Sequence, residues 1–225
     1  EILPGDRAVV HHVLAGLHDP SSSQTERVAQ IAAFGGYAPG TGAEGGLTPL
    51  GRELLREMRQ LSIVLDATHL TEQAFWEALD LFDGPVWASH NNCRALVPDG
   101  RQFSDDQIRA LIQREAVIGV AFDAWMMHPG WIRGQTTPET ANVKIERIVE
   151  HIDHICQLAS NARHCGIGSD LDGGYGREQS PRDLESIADL QRLVDLLAVR
   201  GYEPADVQAI LRARRPGTAK SSRGV

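Results

Sequence analysis

The 225-residue sequence predicts an α/β protein of the (β/α)8, or TIM-barrel, type, with only the C-terminal half to two-thirds of the barrel present. Four short apolar segments alternate with amphipathic helical segments, which is the order typical of parallel βα units. Three of those segments end in His or Asp, and the C-terminal strand ends of such a barrel form the face that carries the chemistry. A complete barrel takes about 250 residues, so four units predict roughly half of one.

Each element has a local signal. Side-chain oxygens of Thr48, Thr71 and Ser104 can cap the first three helices, and Pro49 suits a first helical position. The near-continuous apolar run 116–122 indicates a strand buried on both faces. The remaining elements follow from apolar spacing. The predicted strands are 63–67, 85–89, 116–122 and 164–168. The first three predicted helices begin near residues 49, 71 and 104, and the last three span 140–159, 181–199 and 203–212.

The chain therefore divides into three stretches. Residues 48–212 are predicted to form the C-terminal βα units. Residues 1–47 supply only a poorly defined remnant or loop region, with turn-like clusters of Ser, Pro and Gly. Residues 213–225 carry basic side chains, no acid and no apolar periodicity, which predicts a disordered tail.

Composition narrows the function classes. A formal net charge of −8 argues against nucleic acid as a partner, because binding phosphates requires clustered positive charge. No apolar run approaches the length of a membrane span, and no signal peptide opens the chain, so a cytoplasmic location is expected. Three cysteines without a C-x-x-C spacing predict small buried thiols.

Two histidines are the leading metal-ligand candidates. His69 and His90 end the first two predicted strands, and neutral imidazole is a common zinc ligand. The alternative is that each is an ordinary core or surface histidine, and the residues alone leave the two readings about equal. His151 and His154 lie three residues apart on a predicted helix, where a packing role is favoured over metal binding.

Carboxylates and one arginine complete the set of candidates. Asp170 and Asp172 follow the last predicted strand, where either can bind a metal or transfer a proton, or can instead hold backbone amides of a glycine-rich turn. Asp170 is favoured for the site and Asp172 for a partly structural role. Arg101 lies in the loop after the His90 strand and can bind a substrate carboxylate through two hydrogen bonds, or can be a solvated loop side chain.

These motifs, in this order, resemble the membrane dipeptidase (renal dipeptidase) family of zinc peptidases. The resemblance runs from Gly46 to about Leu211 and is specific through its combination of motifs. The matching stretches are 46–53, 64–69, 85–91, Arg101 with Asp105-Asp106, 151–155, 166–173 and Gly201-Tyr202.

The resemblance implies a barrel that holds two zinc ions and hydrolyses dipeptides. In it, His69 and His90 match histidines that bind one zinc ion, and Arg101 matches the arginine that holds the substrate carboxylate. Asp170 matches the aspartate that contacts the dipeptide amine and carries a proton. The helical pair His151 and His154 matches a motif outside the metal set.

The chain also departs from the family pattern. The early His-x-Asp pair and the bridging Glu of the family have no match, since His18-Asp19 lacks the spacing and Glu44 lies too close to the helix that follows. One incomplete zinc site is therefore expected, with impaired hydrolysis by the chain as given.

Three functions stay open at this point. The first is a metallodipeptidase whose substrate is a dipeptide or another small amide. The second is a metal-dependent amidohydrolase that acts on a non-peptide amide, and the third is a non-catalytic fragment or binding protein. A homo-oligomer is also expected, because half a barrel exposes sheet edges and apolar strand faces.

Overall fold

A computed structural model describes residues 45–171, 173 and 175–213 of the chain. The predictions for residues 1–44, for Asp172 and for the tail from residue 214 lie outside these described residues. The chain divides into two compact units, Glu1–Trp87 and Ala88–Val225. Both units combine helices with parallel strand pairs, so the fold is of the α/β class.

Within its described residues, 45–87, the first unit shows two helices and two short strands. Helix α1 (Pro49–Gln60) begins where the Thr48 side chain accepts a hydrogen bond from the Gly51 amide, and it buries Leu55 and Met58. Strand β1 (Leu65–Asp66) pairs in parallel with strand β2 (Val86–Trp87). Between them, helix α2 (Glu72–Leu81) is capped by Thr71. The predicted caps at Thr48 and Thr71 are therefore confirmed.

In the part of the second unit that the structure describes, the other elements surround one parallel strand pair. Helix α3 (Asp105–Gln113) opens with a capping box between Ser104 and Gln107. Strand β3 (Ile118–Val120) is buried and pairs in parallel with strand β4 (Cys165–Ile167), of which only Ile167 is partly exposed. The other elements are helices α4 (Arg147–Ala159), α5 (Arg192–Arg200) and α6 (Pro204–Leu211), with short 3-10 helices at Ala124–Met126, Arg177–Gln179 and Ile187–Gln191.

The predicted helix 140–159 begins too early, because α4 starts only at Arg147. Asn142 adopts a left-handed conformation (φ 51°), which a continuing right-handed helix does not accommodate. The backbone at 143–145 bonds elsewhere: the Val143 carbonyl accepts from the Arg182 amide at 2.9 Å, and the Ile145 amide donates to Asp183 Oδ1 at 2.9 Å. These tertiary hydrogen bonds replace the helical ones.

The predicted helix 181–199 is also too long at its start. Only Arg192–Arg200 is α-helical, and a 3-10 helix precedes it. The Asp189 carboxylate accepts hydrogen bonds from the Glu185 and Ser186 amides at 2.9 and 2.8 Å, which fixes a separate turn at this point. A short polar side chain that bonds nearby amides competes with helix formation.

No helix in the described ranges is both long and apolar enough to cross a membrane.

Candidate active site

Three parallel backbone segments of the second unit end close together. Residue Ala88 bridges in parallel to Ile118 at the start of β3, and the Asn91 amide donates to the Gly119 carbonyl at 2.7 Å. On the other side of β3, the Phe122 amide donates to the Ser169 carbonyl at 3.0 Å. The residues that follow these contacts therefore lie at neighbouring strand ends, as expected for the C-terminal edge of a parallel sheet.

Two glycines allow this close approach. A Cβ atom on Gly168 would lie 1.7 Å from the Ser89 carbonyl oxygen, and one on Gly119 would lie 2.2 Å from the same atom. Because the obstructing atom belongs to the backbone, no rotamer change relieves the clash. Glycine at both positions therefore keeps His90 and Asp170 within reach of each other.

His90 is buried, and each of its ring nitrogens faces a polar group. Ring atom Nδ1 lies 2.8 Å from the Ser89 hydroxyl, and Nε2 lies 3.8 Å from Asp170 Oδ2. The hydroxyl engages one ring nitrogen and orients the other toward the Asp170 carboxylate. This arrangement suits a neutral imidazole that binds a cation or shares a proton through Nε2.

Asp170 reaches His90 from a strained turn. Its backbone is left-handed, with φ 58°, and the Gly173 amide donates to the Asp170 carbonyl at 3.0 Å. A Cβ on Gly173 would lie 2.0 Å from Asp170 Oδ1, so the glycine leaves the room that this carboxylate occupies. The Asp170 side chain is 23% exposed, which leaves it accessible to a small ligand.

Arg101 is tied to the backbone that carries His90. Its guanidinium donates to the His90 carbonyl at 2.9 Å and also to the Asn91 side-chain oxygen, while its own amide donates to Asp99 Oδ1 at 2.7 Å. Arg101 is buried, so the alternative of a solvated loop arginine is wrong. The structure thus holds the Arg101 guanidinium against the His90 backbone and the Asn91 side chain.

Asp123 is a strand-end carboxylate that was not among the candidate residues predicted from the sequence. It is 8% exposed, and its Oδ2 accepts a hydrogen bond from the Trp125 indole at 2.6 Å. Burial raises the pKa of Asp123 to about 6; the Trp125 hydrogen bond opposes that shift, and the negative charge of Asp170 adds to it. The available signal was a single Asp directly after the apolar run 116–122.

His69 belongs to the first unit, where it follows β1. The Asp66 side chain accepts a hydrogen bond from the Thr68 amide at 3.0 Å, and His69 then takes a left-handed conformation with φ 67°. The chain thus turns directly after the strand, and His69 lies half-buried on that turn.

The helical pair His151 and His154 makes packing contacts instead. His151 is buried and its Nδ1 accepts a hydrogen bond from the Cys93 amide at 3.1 Å. His154 Nε2 lies 2.7 Å from Asp105 Oδ1, which joins α4 to α3. These contacts support the packing role that the sequence favoured for both residues.

The donor atoms of the described residues do not complete a metal site. His90 has the chemistry and the ring orientation of a ligand. However, no group of three or more His, Cys, Asp or Glu side chains within residues 45–171, 173 and 175–213 could hold an ion. A tetrahedral zinc site needs four ligands, so the described residues alone do not fit a full zinc centre.

Comparison with known proteins identifies one family. The profile of the family described as membrane dipeptidase (peptidase family M19) matches residues 26–214. A protein of Klebsiella pneumoniae, described as uncharacterized and encoded in the pqqA 5′ region, is 32% identical over 77% of this chain and 59% of its own length. A dipeptidase of Claviceps purpurea is 32% identical over 74% of this chain and 36% of its own length.

Solved structures agree in fold. A metallopeptidase described as dipeptidase AC superposes with a TM-score of 0.64 at 25% identity, covering 74% of this chain and 46% of its own. A metallopeptidase of Rhodobacter sphaeroides, liganded with a phosphinate mimic of the dipeptide L-Ala-D-Ala, gives a TM-score of 0.61 at 26% identity, with 74% and 44% covered. The chain thus spans 36 to 59% of the length of the two curated relatives.

Proposed function

The chain belongs to the membrane dipeptidase family, and from this membership we propose that the protein it represents hydrolyses dipeptides in a metal-dependent reaction. The observation that carries the proposal is the contact of His90 Nε2 with Asp170 Oδ2 at 3.8 Å, with the Arg101 guanidinium bonded to the His90 carbonyl. The resemblance assigns related roles to these three residues, and all three lie inside the matched range 26–214.

We also propose a (β/α)8 barrel for the whole protein. Parallel strand pairs flanked by helices are the repeating unit of that fold. The observed strand ends carry the polar residues, which is the arrangement that a barrel uses for its active face. The domain division predicted from sequence, with βα units over 48–212, remains a prediction.

Zinc is the proposed metal, with His69 and His90 as its ligands in this chain. A bound zinc ion would supply water activation and stabilisation of the negative charge that develops on the scissile carbonyl. The side-chain chemistry of His90 is compatible with this role, because Ser89 already engages its Nδ1. The ion count and the remaining ligands are proposals that rest on the family resemblance.

Asp170 and Arg101 have separate proposed roles. Asp170 is assigned to holding the substrate amine and moving a proton at the amine side of the scissile bond. Arg101 is assigned to the free carboxylate of the dipeptide, because a guanidinium matches a carboxylate with two parallel hydrogen bonds. Its existing bonds to His90 and Asn91 fix the distance between that carboxylate and the reacting centre.

The test is a hydrolysis assay of the zinc-loaded chain with alanylalanine, alanylalanine amide and N-acetylalanine. We expect turnover of the free dipeptide, reduced because family ligands have no match in this sequence. Asp170→Asn should lower turnover by about 100-fold while leaving the zinc content unchanged. Arg101→Lys and Arg101→Ala should raise KM for alanylalanine more than for its amide. Asp106→Asn removes an exposed carboxylate and serves as the control.

Two results would redirect the assignment. Hydrolysis of N-acetylalanine with no effect of either Arg101 variant would favour an amidohydrolase acting on non-peptide amides. No zinc retention and no hydrolysis of any substrate would favour a non-catalytic fragment or a binding protein. A cytoplasmic location and a homo-oligomer remain predictions, which cell fractionation and light scattering would measure.

A further inference from the structure

Asp123 and Asp170 follow hydrogen-bonded neighbours on adjacent strands. The Phe122 amide donates to the Ser169 carbonyl at 3.0 Å, and each of these residues is followed directly by an aspartate. After burial, the negative charge of Asp170 contributes to the raised pKa of Asp123. Asp123 thus lies at the same edge as the His90–Asp170 pair, although the proposed reaction gives it no role.

One oxygen of Asp123 has no partner among the residues that the structure describes. Oδ2 accepts the Trp125 indole N–H at 2.6 Å, whereas Oδ1 is buried and without a hydrogen bond within those residues. Only 8% of Asp123 is exposed. A buried acceptor without a donor is unfavourable, so this oxygen is suited to a donor that a ligand brings.

The surroundings hold Asp123 in place. The Asn92 side chain donates to the Ala121 and Met126 carbonyls at 3.1 and 3.2 Å and accepts from the Ala121 amide at 2.9 Å. These bonds join the end of β3 to the 3-10 helix that carries Trp125. The carboxylate is therefore presented by a rigid frame, which is the condition for specific recognition.

The two carboxylates at this edge favour a hydrogen-bond donor that carries a positive charge. Two carboxylates at adjacent strand ends repel each other when both are ionised, and a cation placed between them relieves the repulsion. The nearby Arg133 guanidinium lies over the Trp125 ring, 5.0 Å from its centroid, and its charge also acts on Asp123. A protonated amine is small, carries three donors and can bond to Asp123 Oδ1 and Asp170 together.

We propose that Asp123 binds a protonated amine of the substrate beside Asp170 and thereby determines which dipeptides the protein accepts. This inference rests on the proposed function, because it takes the strand-end edge of the second unit as the substrate site. The amine has two sources: the free α-amine of the dipeptide or the amine of a basic side chain. Both present the same ammonium chemistry.

The experiment measures equilibrium binding to the intact 225-residue chain by ligand-detected NMR, so it needs no turnover. Alanylalanine is compared with propionylalanine, which lacks only the α-amine. Alanyllysine is compared with alanylnorleucine, which lacks only the side-chain amine. The unmodified chain should prefer the amine-bearing member of at least one pair by about tenfold, and Asp123→Asn should reduce that preference to about twofold or less.

Two controls make the result specific. Asp106→Asn makes the same charge change at an exposed position of α3 and should retain the preference. Asparagine at 123 keeps an oxygen that can accept the Trp125 hydrogen bond, and equal unfolding midpoints would show that the fold is retained.

If Asp123→Asn loses the preference for alanylalanine over propionylalanine, Asp123 binds the α-amine. If it loses the preference for alanyllysine over alanylnorleucine, Asp123 binds the side-chain amine. Equal binding within both pairs, or a preference that Asp123→Asn leaves unchanged, would overturn the proposal. Hydrolysis is followed in the same samples. An amine preference that depends on Asp123, without any turnover, would reject the proposed reaction and keep the amine site.

Discussion

Two regions of the second unit hold charged side chains in opposite ways. On the helix side, Asp153 accepts hydrogen bonds from Arg200 at 2.7 Å and Tyr202 at 3.1 Å, and it lines a cleft of about 410 Å³. Although burial opposes the shift, these two donors lower the pKa of Asp153. At the strand ends, burial and the charge of Asp170 raise the pKa of Asp123 to about 6.

The two carboxylates differ in how completely the fold satisfies their oxygens. Asp153 has donors for both oxygens and fastens α4 to the end of α5. Asp123 has one donor, and its second oxygen is buried without a partner among the described residues. A carboxylate whose two oxygens do not both have a hydrogen-bond donor in the fold is a candidate for ligand binding. A cleft whose charged side chains are already paired, such as the one that Asp153 lines, is a weaker candidate.

The strand-end arrangement should depend most strongly on Gly168. In Gly168→Ala the new Cβ meets the Ser89 carbonyl oxygen, so the unfolding free energy should fall by about 3 kcal/mol or more. Gly100→Ala is the matched control, because a Cβ there meets nothing within 4 Å, and its effect should stay within about 1 kcal/mol. Urea denaturation of both variants measures this, and equal stabilities would refute the close strand approach.

Lowering the pH should lower the unfolding free energy through His151, which lies on helix α4. Burial lowers the pKa of His151 to about 3, below its usual 6.5, so the folded protein binds fewer protons than the unfolded chain between these values. The contribution of His151 to stability is therefore fully present above pH 6.5 and is lost as the pH falls toward 3. The loss should amount to about 3 kcal/mol between pH 6.5 and pH 4. His151→Gln should remove most of that dependence.

His154 provides the matched control for this prediction. It lies on the same helix, is 24% exposed and pairs with Asp105, so His154→Gln should alter stability by only about 0.5–1 kcal/mol. Unfolding midpoints collected between pH 4 and pH 8 compare the two variants. A larger effect of His154→Gln would reverse the roles assigned to the two histidines.

Asp123 should produce a pH dependence of the opposite sign. Its pKa in the fold is about 6 against 3.8 for the ordinary group, so the folded protein binds the extra proton between these values. Stability should therefore fall by about 2–3 kcal/mol as the pH rises from 4 to 6, and Asp123→Asn should abolish this fall.

Asp153 sharpens the same comparison. Its lowered pKa means that its contribution is present at neutral pH and disappears as the pH falls. In the unmodified chain, ionisation of Asp153 should raise the unfolding free energy as the pH rises, whereas ionisation of Asp123 should lower it. Asp153→Asn should remove the increase, and Asp123→Asn should remove the decrease. Calorimetric unfolding across this range would record both, and the same sign for the two variants would contradict the contrast between the regions.

Local signals were sufficient to predict much of the fold. Thr48, Thr71 and Ser104 cap helices as expected, because a capping side chain acts on amides two or three residues away. The starts of two helices were wrong, since Asp183 and Asp189 bond backbone amides outside a continuing helix. Such bonds depend on tertiary contacts that apolar spacing does not encode.

The candidate site was predictable only in part, because some of its properties depend on tertiary contacts. Strand-end position pointed to His90 and Asp170, and the structure brings them to 3.8 Å. The buried state of Arg101 required the loop to fold back onto the His90 carbonyl, which a sequence does not display. Asp123 was missed because its significance lies in an unsatisfied oxygen, and that property exists only once the neighbours are in place.

The most direct test of the account is a titration of the 15N-labelled chain with alanylalanine, followed through backbone amide shifts. We expect the largest changes at the amides around His90, Arg101, Asp123 and Asp170. Asp170→Asn should weaken those changes, whereas Asp153→Asn should leave them in place. Changes centred on the cleft formed by α4, Arg200 and Tyr202, with the strand ends unaffected, would contradict it.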